Sequence, residues 1–138
     1  MKVQLLESFD SPGKIEGYEH IVITSFSYEI EFPDNSIDEI VLQDCLSVIS
    51  RDQIINFIGS VCKKLRKNGC VIIQSIDLLS ICRALVNGDI DPAQFNTYSN
   101  EKNLYQIEEI IKAFNNFNLQ SEYFSVKGIN FEAKFVRT

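Results

Sequence analysis

The side chains with chemistry to offer are few: Glu7, Ser8, Gln43, Asp44 and Asp77. Each directly follows, or closes, an apolar run that reads as a strand. If those strands are parallel, the five residues gather at their carboxyl ends, where open α/β sheets hold small ligands. That is binding chemistry, and no residue stands out as catalytic. The plain alternative is that they are capping and loop residues, with Asp44 capping the short helical turn that follows it. Other chemistries lack their parts. His20 is the single histidine and is remote in sequence from Cys45, Cys62, Cys70 and Cys82. No cysteine pair has metal-ligand spacing, so neither a zinc centre nor a Ser-His-Asp arrangement is indicated. The cysteines lie in apolar runs or on apolar helical faces, as buried reduced thiols in an intracellular, cytoplasmic setting would.

The elements that position these residues follow from periodicity. Lys2–Leu6 and His20–Thr24 are short strand candidates, joined by a polar, Gly- and Pro-containing loop too short for a long helix. Pro33-Asp34-Asn35-Ser36 has the residue types of a β-turn. Ile37–Gln43 is a strand whose middle, Ile40-Val41-Leu42, is apolar throughout, which fits a strand covered on both faces. A helix is predicted from about Asp52 to Lys67. Ser50 and Gln53 form its capping box, Ile54, Ile55, Ile58, Val61, Cys62 and Leu65 its apolar stripe, and Gly69 its left-handed stop. Val71–Ile76 is the central buried strand. Helices follow at Asp77–Val86 and Leu104–Phe117, separated by an irregular stretch over Phe95–Asn103. Leu119–Val126 and Ile129–Val136 then form a hairpin across Lys127-Gly128, with strict alternation at Ile129, Phe131, Ala133 and Phe135.

The order predicts one α/β domain over 1–138: a Rossmann-like, doubly wound mixed sheet, mostly parallel, ending in an antiparallel hairpin. Length and composition agree, since 138 residues with 45% hydrophobic content, ten phenylalanines and five tyrosines can fill one core. The formal charge of −6 is uneven: the first fifty residues carry two basic against ten acidic side chains. Such a front half repels phosphate backbones, so a nucleic-acid partner is disfavoured. Lys63, Lys64, Arg66 and Lys67 fall near a predicted helix C-terminus, where cations complement the macrodipole without any ligand. No apolar run approaches the ~20 residues that a membrane span needs. Phe95, Tyr98, Tyr105, Phe114, Phe117, Tyr123 and Phe124 read as packing around the hairpin rather than as a substrate pocket; a solvent-facing Phe124 and Phe131 would instead mark a dimer surface.

Two stretches carry a family resemblance. Phe32-Pro33-Asp34-Asn35-Ser36-Ile37-Asp38-Glu39-Ile40, and Lys64-Leu65-Arg66-Lys67-Asn68-Gly69-Cys70 running into Val71-Ile72-Ile73, resemble the second half of class I S-adenosylmethionine (SAM)-dependent methyltransferases. Asn116-Phe117-Asn118 stands where that family often has a glycine and phenylalanine before its terminal hairpin. The resemblance implies the methyltransferase fold over about residues 30–136 and SAM as cofactor. The cofactor-facing elements depart from the pattern together. Leu6-Glu7-Ser8 replaces the glycines after the first strand, which let backbone approach the cofactor. Val22 and Ile23 stand where an acid binds the ribose hydroxyls. Leu46-Ser47-Val48 replaces a Leu-Glu-His triplet. These departures imply a degenerate member whose SAM site is lost, serving as an interaction or regulatory module with a protein partner or as a homodimer. The alternative is an active SAM-dependent methyltransferase with an unusual pocket formed near Glu7, Ser8, Gln43 and Asp44.

Overall fold

The computed structural model describes residues 1–100 and 102–138. In chain order it contains β1 (Lys2–Leu6), β2 (Glu19–Val22), β3 (Ile37–Gln43), a 3₁₀ turn (Leu46–Val48), α1 (Ile54–Lys64) and β4 (Leu65–Ile76). These are followed by α2 (Leu78–Val86), α3 (Pro92–Ser99), α4 (Ile107–Asn116), β5 (Leu119–Lys127) and β6 (Asn130–Arg137). The strands form one sheet in the order β2-β1-β3-β4-β6-β5. β2, β1, β3 and β4 are parallel, and β6 and β5 run antiparallel. This is the predicted mixed sheet.

Register assigns the two faces. Val3, Ile40, Val71 and Phe135 are opposite one another across the central strands, as are Leu5, Leu42, Ile73 and Ala133. All eight are buried. α1 and α4 cover this face, bringing Phe57, Ile58 and Val61, and Ile110, Ala113 and Phe114, into one core. Phe114 stacks on Phe135 with ring centroids 4.5 Å apart, and Tyr28 meets Phe57 edge-on at 5.8 Å. The β2–β3 connection crosses on the same side, contributing Ile23, Ile30, Tyr28 and Phe32.

The β1–β2 connection crosses the opposite face, where Gln4 projects. Gln4 is fully buried, and burying an amide is tolerable only if its groups are bonded. Its Nε2 donates to the Gly13 carbonyl at 2.7 Å and its Oε1 accepts from the Ile15 amide at 2.8 Å. Gly13 presses on the Gln43 side chain so closely that a Cβ there would lie 2.6 Å from it. The two crossover directions therefore use opposite faces, as doubly wound topology requires, with a loop in place of a helix on one of them.

Several boundaries differ from expectation. α1 stops at Lys64, and the chain turns extended at Leu65. The left-handed residue near the predicted stop is Asn68, at φ 66°, and not Gly69. Gly69 is required for space: a Cβ would lie 2.8 Å from the Arg66 carbonyl and 3.1 Å from those of Ile37 and Asp38. Gln53, not Ser50, is the N-cap of α1, and it makes no side-chain cap bond; Ser50 Oγ is spent on Asp52. Ile55 is exposed and Phe57 is in the core, because Ile55 sits at the margin of the arc that Ile54, Ile58 and Val61 centre. The stretch read as irregular begins inside α3, which is capped by an Asp91–Gln94 box with Pro92 in its first turn; of that stretch, Glu101 lies outside the described residues. Its weak amphipathy hid it, since none of its residues is buried. α4 begins at Ile107, and the hairpin turn is Gly128-Ile129.

Candidate functional site

β1, β3 and β4 end side by side, so the residues after them meet at one edge of the sheet. Glu7 and Asp44 are brought together there. Asp44 follows β3 in the left-handed region at φ 50°, a conformation that Asp tolerates better than most residues. Its amide donates to the Gln74 carbonyl at 2.9 Å, which fixes it against β4. It does not cap the helical turn: Cys45 is the N-cap residue there and no side chain bonds it. Burial raises the Asp44 carboxyl above its ordinary pKa, the neighbouring Glu7 charge adds to this, and Lys102 opposes it.

The other predicted residues are used elsewhere. Ser8 Oγ accepts from the Asp10 amide at 3.2 Å in the loop. Gln43 projects onto the loop-covered face, against Gly13. Asp77 is buried with both carboxylate oxygens engaged. One accepts from the Ser80 amide at 3.0 Å and hydroxyl at 2.7 Å; the other accepts from the Ile107 amide at 2.9 Å. Asp77 thus caps α2 and ties the start of α4 to the end of β4.

A strap of chain from Asn103 to Gln106 lies against this edge. The Asn103 amide and Nδ2 both donate to the Ser47 carbonyl, at 2.9 and 3.1 Å. Tyr105 Oη donates to the Ile49 carbonyl at 2.6 Å, and its own carbonyl accepts from the Leu78 amide. Arg51 clamps the strap from outside. It donates to the Leu104 carbonyl at 2.7 Å, pairs with Glu109 at 2.5 Å and lies over the Tyr105 ring at 4.9 Å from its centroid.

The strand-end edge holds three shallow depressions of about 310, 240 and 290 Å³, of which the last two reach the strap at Leu104 and Asn103. Asp44 and Ser75 are shared by the first two, and Glu7 and Ser47 by the last two. Ser75, Lys102 and Asn130 line the middle one and escaped sequence reading; Tyr98, read from the sequence as packing, lines it too. Ser75 had a signal, as the polar break near the end of the apolar β4 run; Lys102 and Asn130 had none, because loop and turn place them.

The four cysteines are free; Cys45 and Cys62 are buried, and Cys70 and Cys82 half-buried. Burial pushes the Cys62 thiol up to about 12 and raises Cys45 and Cys70 as well, so none of these three is a ready thiolate. Among the described residues no group of His, Cys, Asp or Glu could hold a metal ion, and no helix is long and apolar enough to cross a membrane.

No family model matches the chain, and no curated protein matches it. Its fold is shared with solved SAM-dependent methyltransferases. One from Thermotoga maritima is 12% identical with a TM-score of 0.63, covering 88% of this chain and 65% of its own. One from Methanosarcina mazei is 17% identical with a TM-score of 0.63, covering 99% and 82%. A Haloferax volcanii methyltransferase, solved in complex with a methyltransferase activator, is 8% identical with a TM-score of 0.62, covering 89% and 63%. The chain thus has the class I methyltransferase fold and spans under two thirds of the length of the Thermotoga and Haloferax proteins.

Proposed function

We propose that this is a methyltransferase-like domain whose SAM site has degenerated and which acts without catalysis, as an interaction or regulatory module for a protein partner or a second copy. The observation that carries the reading is the state of the strand-end edge, which the chain's own residues occupy. Ligand pockets span roughly 300–1,000 Å³ and enclose most of their ligand. Here the largest of three shallow depressions, about 310 Å³, only reaches that lower bound, and the two that touch the strap, about 240 and 290 Å³, fall below it. After β1 the chain continues through Glu7 and Ser8, with no glycine to let a ligand reach the backbone. After β2, the residue in the acid's position is Ile23, buried in the core. Asp77, which could have served the edge, is consumed in joining two helices. The residues present therefore do not fit SAM, and no methyl-transfer step is derived through it. The methyltransferase bound to an activator protein supports a partner-binding role on this fold by analogy only.

One observation favours the rival reading, an active SAM-dependent methyltransferase on an unknown acceptor. Asp44 holds a left-handed conformation at the edge, and backbone strain of this kind clusters at functional sites. Calorimetric titration with SAM and S-adenosylhomocysteine separates the two. The module reading expects no heat and no thermal shift at millimolar ligand. Saturable heat with one-to-one stoichiometry would establish the rival.

A further inference from the structure

The free edge of the sheet is β5, and it is dressed differently from the other edge. β2 at the far side is four residues long and begins with Glu19. β5 is nine residues long, and all but Leu119 are exposed. Three of its exposed side chains are large and apolar or aromatic: Tyr123 at 43%, Phe124 at 58% and Val126 at 46%. A long apolar edge is a template for another strand unless it is blunted. The only irregularity is a bulge between Ser121 and Tyr123; from Tyr123 to Lys127 the pairing with β6 is regular.

From this edge we infer that two copies of the chain associate through β5, antiparallel and centred on Ser125, extending the sheet across a two-fold axis. Side-chain direction requires the axis to pass through a residue, and the pairs that result select Ser125. Phe124 and Val126 stand opposite Ala133 and Phe131, on the helix-covered face, while Tyr123, Ser125 and Lys127 stand opposite Lys134, Glu132 and Asn130, on the other. A two-fold axis normal to the sheet keeps each face continuous, so opposed residues must share a face. Centring on Ser125 meets this rule within the regular run and leaves the bulge outside. It sets Phe124 against Val126 of the second copy, twice, and Tyr123 against Lys127, twice. Apolar and aromatic cross-strand pairs of this type are the stabilising unit of sheets. Glu122 lies in the bulge and stays paired with Lys134 of its own chain at 2.8 Å, outside the proposed contact.

Global charge selects this edge as well. The first fifty residues, with ten acids and two bases, form β2, β1 and β3; residues 117–138 carry three bases and two acids. Joining at β5 keeps the two acidic halves at opposite outer ends, whereas joining at β2 would bring them together. The proposal rests on the module reading for its role, and supplies that reading with its partner. The association itself is read without any cofactor.

Sedimentation of the full chain over a wide concentration range is expected to show a monomer–dimer equilibrium. Phe124→Lys should weaken it by roughly tenfold or more, from loss of the two apolar pairs, with the melting temperature of dilute protein unchanged. Ser125→Cys reads the register directly. Opposed Cα atoms in an antiparallel pair lie about 4.5–5.5 Å apart, within disulfide reach. Mild oxidation should therefore give a cross-linked dimer with Ser125→Cys, and not with Gln120→Cys or the wild type. A monomer at every concentration to the millimolar range, a dimer indifferent to Phe124→Lys, or equal cross-linking at Gln120 would each overturn the proposal. None of these outcomes bears on the cofactor titration, which tests the module reading separately.

Discussion

The Asp77 carboxylate and the Ile107 backbone amide are hydrogen-bonded at 2.9 Å, so the end of β4 holds the first turn of a helix thirty residues further on. The same carboxylate caps α2 through Ser80. Two helix N-termini, each with orphan amides, converge on one buried acid. Asp77→Ala removes a cap and leaves the Ile107 amide buried without an acceptor. The expected cost is roughly 2–4 kcal/mol, from a lost cap and an unsatisfied donor together. Ser80→Ala should cost under half as much. Urea denaturation of the two variants checks this, and equal small effects would mean that α4 is held by its apolar face alone.

Asp44 and Glu7 give a pH signature with a definite sign. The Asp44 carboxyl is raised in the folded state by burial first and by Glu7 second. An acid with a raised folded pKa binds its proton more tightly when folded. Its contribution to stability is present at low pH and is lost as pH rises through the folded pKa. At neutral pH ionising Asp44 therefore opposes folding. Asp44→Asn, which keeps a side chain suited to a left-handed backbone, is expected to be neutral or stabilising at pH 7, with the difference vanishing at pH 3. Thermal melts across that range test it. A variant destabilised at pH 7 would show that the carboxylate serves a favourable contact.

Glu109 has the opposite sign. Its hydrogen bond to Arg51 lowers its pKa, so its contribution is present above the ordinary glutamate range and is lost as pH falls through the folded value. Because the pair is substantially exposed, the effect is small and salt-sensitive. Glu109→Gln should flatten the acid limb of the stability profile at low ionic strength and change little in molar salt. An acid limb identical to wild type at both ionic strengths would remove the pair from the account.

Three glycines separate backbone space from backbone conformation. Gly69→Ala forces a Cβ against three carbonyl oxygens that belong to the sheet and its entry, and cannot yield. A destabilisation of about 2–4 kcal/mol is expected, in the range of overpacked, immobile sites. Gly59→Ala meets the Phe117 ring at 2.9 Å, and Phe117 is half-buried and able to swing outward. It should cost about 1 kcal/mol or less, partly offset by better helix propensity. Gly17→Ala meets nothing within 4 Å but sits at φ 88°, so its cost of about 1–2 kcal/mol is conformational alone. If Gly59 proved more costly than Gly69, the helix stop and strand entry at residues 65–69 would be wrongly described.

What the sequence made legible was whatever one element decides by itself. The Ile40-Val41-Leu42 run, the Phe131-Ala133-Phe135 alternation and the Pro33–Ser36 turn are set by local pattern, and each is where it was expected. Features decided by a second element were not readable. Gly69 looked like a helix stop because glycine usually relieves conformation; here it relieves crowding from β3, which only the pairing reveals. Ile55 fits the apolar stripe as well as Phe57 does, and the side of α1 that the sheet and α4 cover decides between them. At the strand-end edge, the meeting of Glu7 and Asp44 was readable because parallel strands must end together. The direction of Gln43 was not readable, because one residue of register sends it to the other face, onto Gly13. The strap was invisible, since its anchors are the carbonyls of Ser47 and Ile49, and backbone atoms leave no mark in a sequence.

That strap is itself testable, and it bears on whether the edge is permanently covered. Tyr105→Phe deletes the hydroxyl bonded to the Ile49 carbonyl, which is worth about 1–2 kcal/mol when a buried acceptor is left without its partner. Asn103→Ala removes one of two bonds to the Ser47 carbonyl and leaves the backbone bond intact, so global stability should fall by no more than about 1 kcal/mol. The two substitutions should differ in hydrogen exchange. Tyr105→Phe should speed exchange of the Leu78 amide, which donates to the Tyr105 carbonyl, while Asn103→Ala should affect only its own amide and its immediate neighbours. If Asn103→Ala instead made the chain bind S-adenosylhomocysteine, the strap would be a removable cover over a competent site. The degenerate-site reading requires that opening the strap yields no ligand heat, because Glu7, Ser8 and Ile23 would still fail to supply what the cofactor needs.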